Sequence, residues 1–362
     1  GLSHDLHTAV SRKDPKMSRH ITQLGAGIRV PLRSLPKDRY LDFMPVGEGG
    51  MGIVYWAMDT ELGRQVAFKV VRPPTEGPGA GVTPPAPIRM RAPEGKSETL
   101  GAFEELKARF LQEAWVTGGM EHPGIVPVYE LGCTDGGVPY YTMRFVRGRR
   151  TLETAIEEMS SEPFEARVSL LESYLKICDA VSYAHSRGVV HRDLKPANVA
   201  LGEYGETIVL DWGLAKLSGH PDVHASRWQA HVEDFRTTTD MATMTSALGT
   251  PGYMAPEAAA GDVENVDRLS DVYSLGAVLF EILTGRLPFK FQTYHEYASQ
   301  VLADQPPTAT SIDEHVPAAL SALCASALSQ DRALRPASVK DLAKGVRRWQ
   351  QSRAEDREVE VL

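Results

Sequence analysis

From Tyr40 the chain alternates apolar and polar residues. YLDFMPVGEGGMGIVYWAMDTELGRQVAFKVV sets two alternating segments about a glycine cluster, then a turn at Glu61-Leu62-Gly63-Arg64, then a third strand from Gln65 to Val71. The pattern lapses over residues 73–102, a Pro- and Gly-rich stretch that reads as an irregular insertion. It resumes with a helical period: Phe103, Leu106, Phe110, Ala114 and Thr117 share one face, and Gly118-Gly119 ends the helix. HPGIVPVYELG and VPYYTMRFVRG restore the strand period and complete a five-stranded sheet. Beyond Thr151 the chain turns helical, with amphipathic segments at Leu152 to Met159 and Ala166 to Arg187. A largely apolar helix follows after Asp271, and AALSALCASALSQ and DRALRPASVKDLAKGVRRW lie near the end. One buried strand, Thr207-Ile208-Val209-Leu210, interrupts them. The pattern predicts an α+β chain, a small sheet-bearing lobe followed by a larger helical one.

The same reading sets the boundaries. Residues 1–36 are polar, mixed in charge and without sustained period, and are expected to be an extension. Residues 37–146 make the small lobe with its insertion, 147–349 the large lobe, and 350–362 a solvated tail. With 42% hydrophobic and 24% charged residues the chain is of ordinary globular composition. A formal charge of −8 argues against nucleic acid as a partner, because phosphate backbones require a basic face. Cys133, Cys178 and Cys324 are far apart and form no CxxC pair, which fits a reducing cytoplasm rather than a disulfide or zinc framework. The longest apolar candidate for a membrane span, Leu275 to Leu283, is short and carries Glu281. The first residues lack both a Met and a signal peptide's apolar core, so a piece of a longer chain is expected, and an anchor beyond Leu362 stays open.

Candidate chemistry gathers at VVHRDLKPAN, Val189 to Asn198. A carboxylate (Asp193), an ammonium (Lys195) and an amide (Asn198), two to five residues apart in a proline-containing loop, can converge on one small volume. That set suits phosphoryl transfer: a base for a hydroxyl proton, a cation for the moving phosphate and an oxygen ligand for Mg²⁺. Asp211, at a strand end before Trp212-Gly213, is a hard oxygen ligand on a fixed backbone. Gly47, Gly49 and Gly52 fit GxGxxG, a weak signal by itself. A strand follows them where a dinucleotide fold would need a helix, so a glycine-rich hairpin is the better reading.

In this order and spacing, GEGGMGIVY, VAFK, HRDLKPAN, DWG and GTPGYMAPE resemble the eukaryotic-like serine/threonine protein kinases, in wording nearest their bacterial members. The resemblance covers Tyr40 to Trp349. It implies the bilobal protein kinase fold, a five-stranded antiparallel sheet plus one helix over a helical lobe. It also implies transfer of the ATP γ-phosphoryl group to protein Ser/Thr hydroxyls with Mg²⁺, or Mn²⁺ in its place. ATP would lie under Val46, Gly47, Glu48, Gly49, Gly50, Met51, Gly52 and Val54. Ala67 would pack on the adenine, Met143 would be the gatekeeper and Phe145 part of the hinge. Lys69 would grip phosphates and pair with Glu113, with Glu104 and Glu105 as fallbacks. Asp193 would take the hydroxyl proton, Lys195 would steady the transferring phosphate, and Asn198 and Asp211 would hold the metal. Residues 211–257 would form a long activation segment anchored by a Glu257–Arg335 pair. Arg192 would receive a phosphorylated residue of that segment, among Thr243, Thr245, Ser246 and Thr250, although Thr250 fits better as a hydrogen-bonding residue of the site. Asp271 is expected to cap its helix and bond the catalytic loop, and His185 to be structural. Autophosphorylation follows from the same resemblance, and a homodimer is left open. Two residues depart from the family pattern: Arg144 stands where many members are acidic, and Trp212 replaces the usual Phe. The bulk of Trp212 should favour the inward position of Asp211.

Overall fold

Strand pairing in the small lobe follows from the alternation, with two strands more than expected. The computed structural model describes residues 20–24, 28–49, 51–72, 90–92, 97–148, 150–217 and 249–361. Seven strands form one sheet: β1 (His20–Leu24), β2 (Ile28–Ser34), β3 (Tyr40–Glu48), β4 (Gly52–Asp59), β5 (Arg64–Val71), β6 (Val128–Cys133) and β7 (Pro139–Arg144), in the order β1-β2-β6-β7-β5-β4-β3. The five predicted strands pair antiparallel. The segment expected to be an extension adds the other two. β1 pairs antiparallel with β2, and β2 lies parallel to β6 through Arg33↔Gly132 and Ser34↔Cys133. Ile28, Val30 and Leu32 do alternate, but Pro31 breaks the propensity and the partner strand is about a hundred residues away, so local pattern could not announce it.

Helix α1 (Ser97–Gly118) crosses one face of the sheet. Phe103, Phe110 and Ala114 enter a core with Tyr55, Phe68 and Tyr140, where Phe68 and Tyr140 stack at 4.5 Å. The helix starts six residues before its first predicted apolar position, inside the stretch expected to be irregular. Residues 90–92 of that stretch are also fixed: Met90 is buried, and the Ala92 N–H donates to the Gly136 carbonyl at 2.9 Å.

The large lobe contains β8 (Arg150–Thr151), α2 (Leu152–Met159), α3 (Leu170–Ser186), β9 (Val189–Val190), β10 (Val199–Leu201), β11 (Thr207–Val209) and β12 (Lys216–Leu217). After these come α4 (Arg268–Thr284), α5 (Tyr294–Ala303), α6 (Ala318–Ala327) and α7 (Val339–Val361). α4 is apolar nearly all round and therefore central, with Val272, Leu275, Val278 and Ile282 in the core. Its cap is Asp267, in a capping box with Ser270, rather than Asp271. Asp271 lies one turn further on, wholly buried, and is free to bond elsewhere. Glu257, on the short helical turn Pro256–Ala259, meets Arg335 through two hydrogen bonds of 2.8 and 2.9 Å. The expected tail is not a separate element. α7 continues to Val361 through a run rich in Arg, Gln and Glu without Gly or Pro, and Arg353 lies over Trp349. Among the described residues no helix is long and apolar enough to cross a membrane.

Candidate active site

Register in the sheet builds one wall of the cleft between the lobes. Lys69 on β5 lies opposite Tyr141 on β7, and Ala67 lies opposite Met143. Side chains two apart on a strand share a face, so these four line one side. Lys69 Nζ donates to Glu113 Oε1 of α1 at 2.6 Å, and the Tyr141 hydroxyl donates to the same oxygen at 2.7 Å. Glu104 instead pairs with Lys107, and Glu105 is exposed, so Glu113 is the partner. The second oxygen, Oε2, has no hydrogen-bond partner among the described residues. Burial alone would lower the Lys69 pKa, but the Glu113 and Asp211 carboxylates outweigh it and hold the pKa above its ordinary value.

Asp271 organises the opposite wall. Its Oδ2 accepts from the His191 N–H at 2.9 Å and its Oδ1 from the Arg192 N–H at 2.9 Å. Oδ2 also bonds His185 Nε2 at 2.7 Å, which gives His185 its structural place. These bonds hold Arg192 at φ 71°, a conformation that costs roughly 1–3 kcal/mol in a non-glycine residue. His191 Nδ1 accepts from the Asp193 N–H, which leaves Nε2–H to donate to the Leu210 carbonyl at 3.2 Å. The loop is thus tied to the strand that delivers Asp211, itself at φ 55°. Trp212 is buried against His191, with ring centroids 4.5 Å apart.

Asp193 is the centre of a small polar group. Its Oδ1 accepts from the Thr250 N–H at 2.9 Å and the Thr250 hydroxyl at 3.0 Å, and its Oδ2 accepts from Asn198 Nδ2 at 3.2 Å. Lys195 Nζ lies 3.3 Å from Oδ2 and donates to the Thr250 hydroxyl. Gly249, at φ 101°, brings Thr250 into place. A Cβ there would stand 3.1 Å from the Arg192 carbonyl oxygen in a backbone conformation that L side chains avoid. Burial raises the Asp193 pKa, with Lys195 opposing. Asp211 reaches solvent through the cleft. Burial would raise its pKa, but Lys69 leads the cations that bring it below the ordinary value.

The two walls enclose a cleft of about 230 Å³. Of the residues expected around a nucleotide, Gly47, Glu48, Gly49, Gly52, Val54, Lys69, Glu113 and Met143 line it, and so do Asn198 and Asp211. Val46 is half-buried on β3, Ala67 is buried behind the lining, and Phe145 is half-buried beyond β7. Met51 reaches from the glycine loop to Gly213, where its methyl leaves no room for a Cβ. Gly50 and the expected phosphosites Thr243, Thr245 and Ser246 lie outside the described residues. Arg192 is buried within the Val189–Asn198 loop. Arg144 finds Glu206 of the β10–β11 turn at 2.6 Å, an ion pair at the surface.

Sequence reading missed Tyr141 as the second donor to Glu113, and Gln112, whose amide donates to the Ala215 carbonyl at 3.1 Å and ties α1 to the segment after Asp211. Thr117, Val126, Ala197 and Leu210 complete the lining unpredicted. Each looked like ordinary strand, helix or loop filling; their roles come from tertiary contact.

The family model described as "Protein kinase domain" matches residues 96–346. The serine/threonine-protein kinase PknD of Protochlamydia amoebophila is 33% identical over 339 residues, covering 90% of this chain and 31% of that protein. PknD of Chlamydia trachomatis serovar D is 32% identical over 332 residues, covering 87% of this chain and 32% of its own length. The chain therefore spans about a third of the length of these curated relatives.

Proposed function

Given that this chain belongs to the protein kinase family, we propose that it transfers the γ-phosphoryl group of ATP to serine and threonine hydroxyls of proteins, itself included. The observation that carries the reading is the convergence, on one cleft, of the Lys69–Glu113 pair with Asn198 and Asp211, and with Asp193 hydrogen-bonded to Asn198 beside them. The glycine loop offers backbone N–H groups to phosphates, and Lys69 a cation held in place by Glu113. Asp193, fixed by Thr250 and Asn198, accepts the proton of the substrate hydroxyl. That oxygen bonds to the γ-phosphorus, and the bond to the β–γ bridging oxygen breaks to leave ADP. Lys195, between Asp193 and Thr250, faces the charge of the transferring group.

The donors fit a hard divalent cation. Asn198 spends its Nδ2 on Asp193 and keeps Oδ1 as a ligand, and Asp211 is favoured in its ionised form. Among the described residues no cluster of three or more His, Cys, Asp or Glu side chains could hold a metal. The fit is therefore to Mg²⁺, or Mn²⁺, shared between two protein oxygens and phosphate, where it would neutralise charge on the β- and γ-phosphoryl oxygens. Activation by phosphorylation between Thr237 and Ser246, and residence in a reducing cytoplasm, belong to the same reading. The three cysteines are free and buried, in keeping with the second.

The test is incubation with Mg²⁺ and γ-labelled ATP. The wild-type chain incorporates label into itself or a generic basic protein, with phosphate mapping to Thr237–Ser246. Asp193→Asn loses about 10²–10⁴-fold in rate. Equal silence of both chains across metals and substrates would replace this reading with a nucleotide-binding scaffold.

A further inference from the structure

The hairpin of β10 and β11 carries both residues proposed to hold the metal. β10 begins directly after Asn198, and β11 runs through Leu210 into Asp211. Three facing pairs join the strands, from Val199↔Val209 to Leu201↔Thr207, and the Leu210 N–H donates to the Asn198 carbonyl at 2.8 Å. Asn198 and Asp211 therefore sit at the open end of a two-stranded lever about 10 Å long. Its closed end is tightly wound. The Gly202 N–H donates to the Glu206 carbonyl at 2.8 Å, and Lys176 Nζ of α3 donates to the Gly205 carbonyl at 3.1 Å. The Tyr204 N–H donates to Glu206 Oε2 at 3.0 Å, which leaves Oε1 to accept from Arg144 Nη2 at 2.6 Å.

Arg144 belongs to the other lobe. It is the last residue of β7, directly after Met143 of the cleft lining, and its N–H donates to the Pro127 carbonyl at 3.1 Å. The backbone N–H groups of Glu206 and Tyr204, and after them Arg144, hold the Glu206 carboxyl below its ordinary value, so the pair keeps both charges. We propose that Arg144 and Glu206 are positioning residues: across the lobes, they set the spacing between the Ala67 and Met143 wall of the cleft and the metal-facing oxygens of Asn198 and Asp211. This rests on the nucleotide site of the reading above and not on phosphoryl transfer. A nucleotide with its metal touches both walls at once, and binds best when their spacing is already the one it needs. Adenosine reaches the first wall but carries no phosphate to bring a metal to the second. An exposed pair is a weak fastener, so its effect should be modest and should fall on that spacing.

Calorimetric titration of the full chain with Mg-ADP and, separately, with adenosine tests this. In Arg144→Glu, which sets like charges face to face, the Kd for Mg-ADP rises about threefold while that for adenosine is unchanged. Glu206→Gln, whose amide oxygen can still accept from the Tyr204 N–H, gives a smaller rise of the same kind. With both substitutions the repulsion is gone, and Mg-ADP binds no more weakly than to Glu206→Gln alone. Unchanged Mg-ADP binding in Arg144→Glu overturns the proposal. So does equal weakening of Mg-ADP and adenosine, which would make the pair a fastener of the fold alone, and so do losses that multiply in the double variant. A chain that shows the selective loss yet transfers no phosphate would refute the transfer reading and uphold this one.

Discussion

Two buried carboxylates, one in each lobe, meet their cations in different ways. Glu257 in the large lobe receives both ends of the Arg335 guanidinium, the Ser270 hydroxyl and Arg332, so each of its oxygens is occupied. Glu113 in the cleft receives Lys69 and Tyr141 on one oxygen, and its other oxygen is unmatched among the described residues. The acidities follow the geometry. Burial would raise both carboxyls; Arg335 and Ser270 more than reverse this for Glu257, whereas Lys69 does not for Glu113. A buried pair with every lone pair satisfied fastens the fold, and one left half-satisfied beside a cleft is cheap to rearrange. The large lobe is built on the first kind, and the cleft on the second.

The largest effect is expected from Arg335→Ala. It should lower the unfolding free energy by about 3–5 kcal/mol in denaturant titrations, because Glu257 is left charged and buried. Lys69→Met should cost only about 1–2 kcal/mol, since Glu113 can take up a proton. Equal losses in the two variants would remove the distinction.

Their pH dependence should have opposite signs. The depressed Glu257 pKa contributes stability that is present above the unfolded carboxylate value and lost as pH falls through the folded value, below 4.5. The raised Glu113 pKa contributes stability that is present below the unfolded value and lost as pH rises through the folded one, above 4.5. Stability of Lys69→Met should therefore decline from pH 5 to 8 more than that of the wild type, and a parallel pair of curves would count against the assignment. The smallest effect is expected from Tyr141→Phe, about 1 kcal/mol, with Lys69 still paired. A loss as large as that of Arg335→Ala would mean that the phenol, not the lysine, holds Glu113.

Most of the cleft could be read before any coordinates because its chemistry demands fixed residue types at short spacing. Asp193, Lys195 and Asn198 sit within six residues, and Lys69 announces itself as a charge within an apolar strand. Glu113 was legible because it borders the buried face of a strongly periodic helix. What stayed hidden depends on partners distant in sequence. Tyr141 reads as one more aromatic in VPYYT until β7 sets it beside Lys69. Asp271 was correctly tied to the catalytic loop but misjudged as a cap, since Asp267 four residues earlier offers the same side chain. The N-terminal strands escaped because a parallel pairing over about a hundred residues has no local signature, and α7 because a charged run reads as tail or as helix alike.

The hairpin of β1 and β2 has a mechanical consequence. β4 and β5 are stitched by eight facing pairs, but the hairpin joins the sheet through two, reinforced by the Leu35 N–H to the Cys133 carbonyl. A pull on the N-terminus would load that short seam first, and the hairpin could peel away as a unit while the five strands behind it kept their register. The front of the chain is built like a tab, able to transmit tension to β6, yet detachable before the cleft itself is strained.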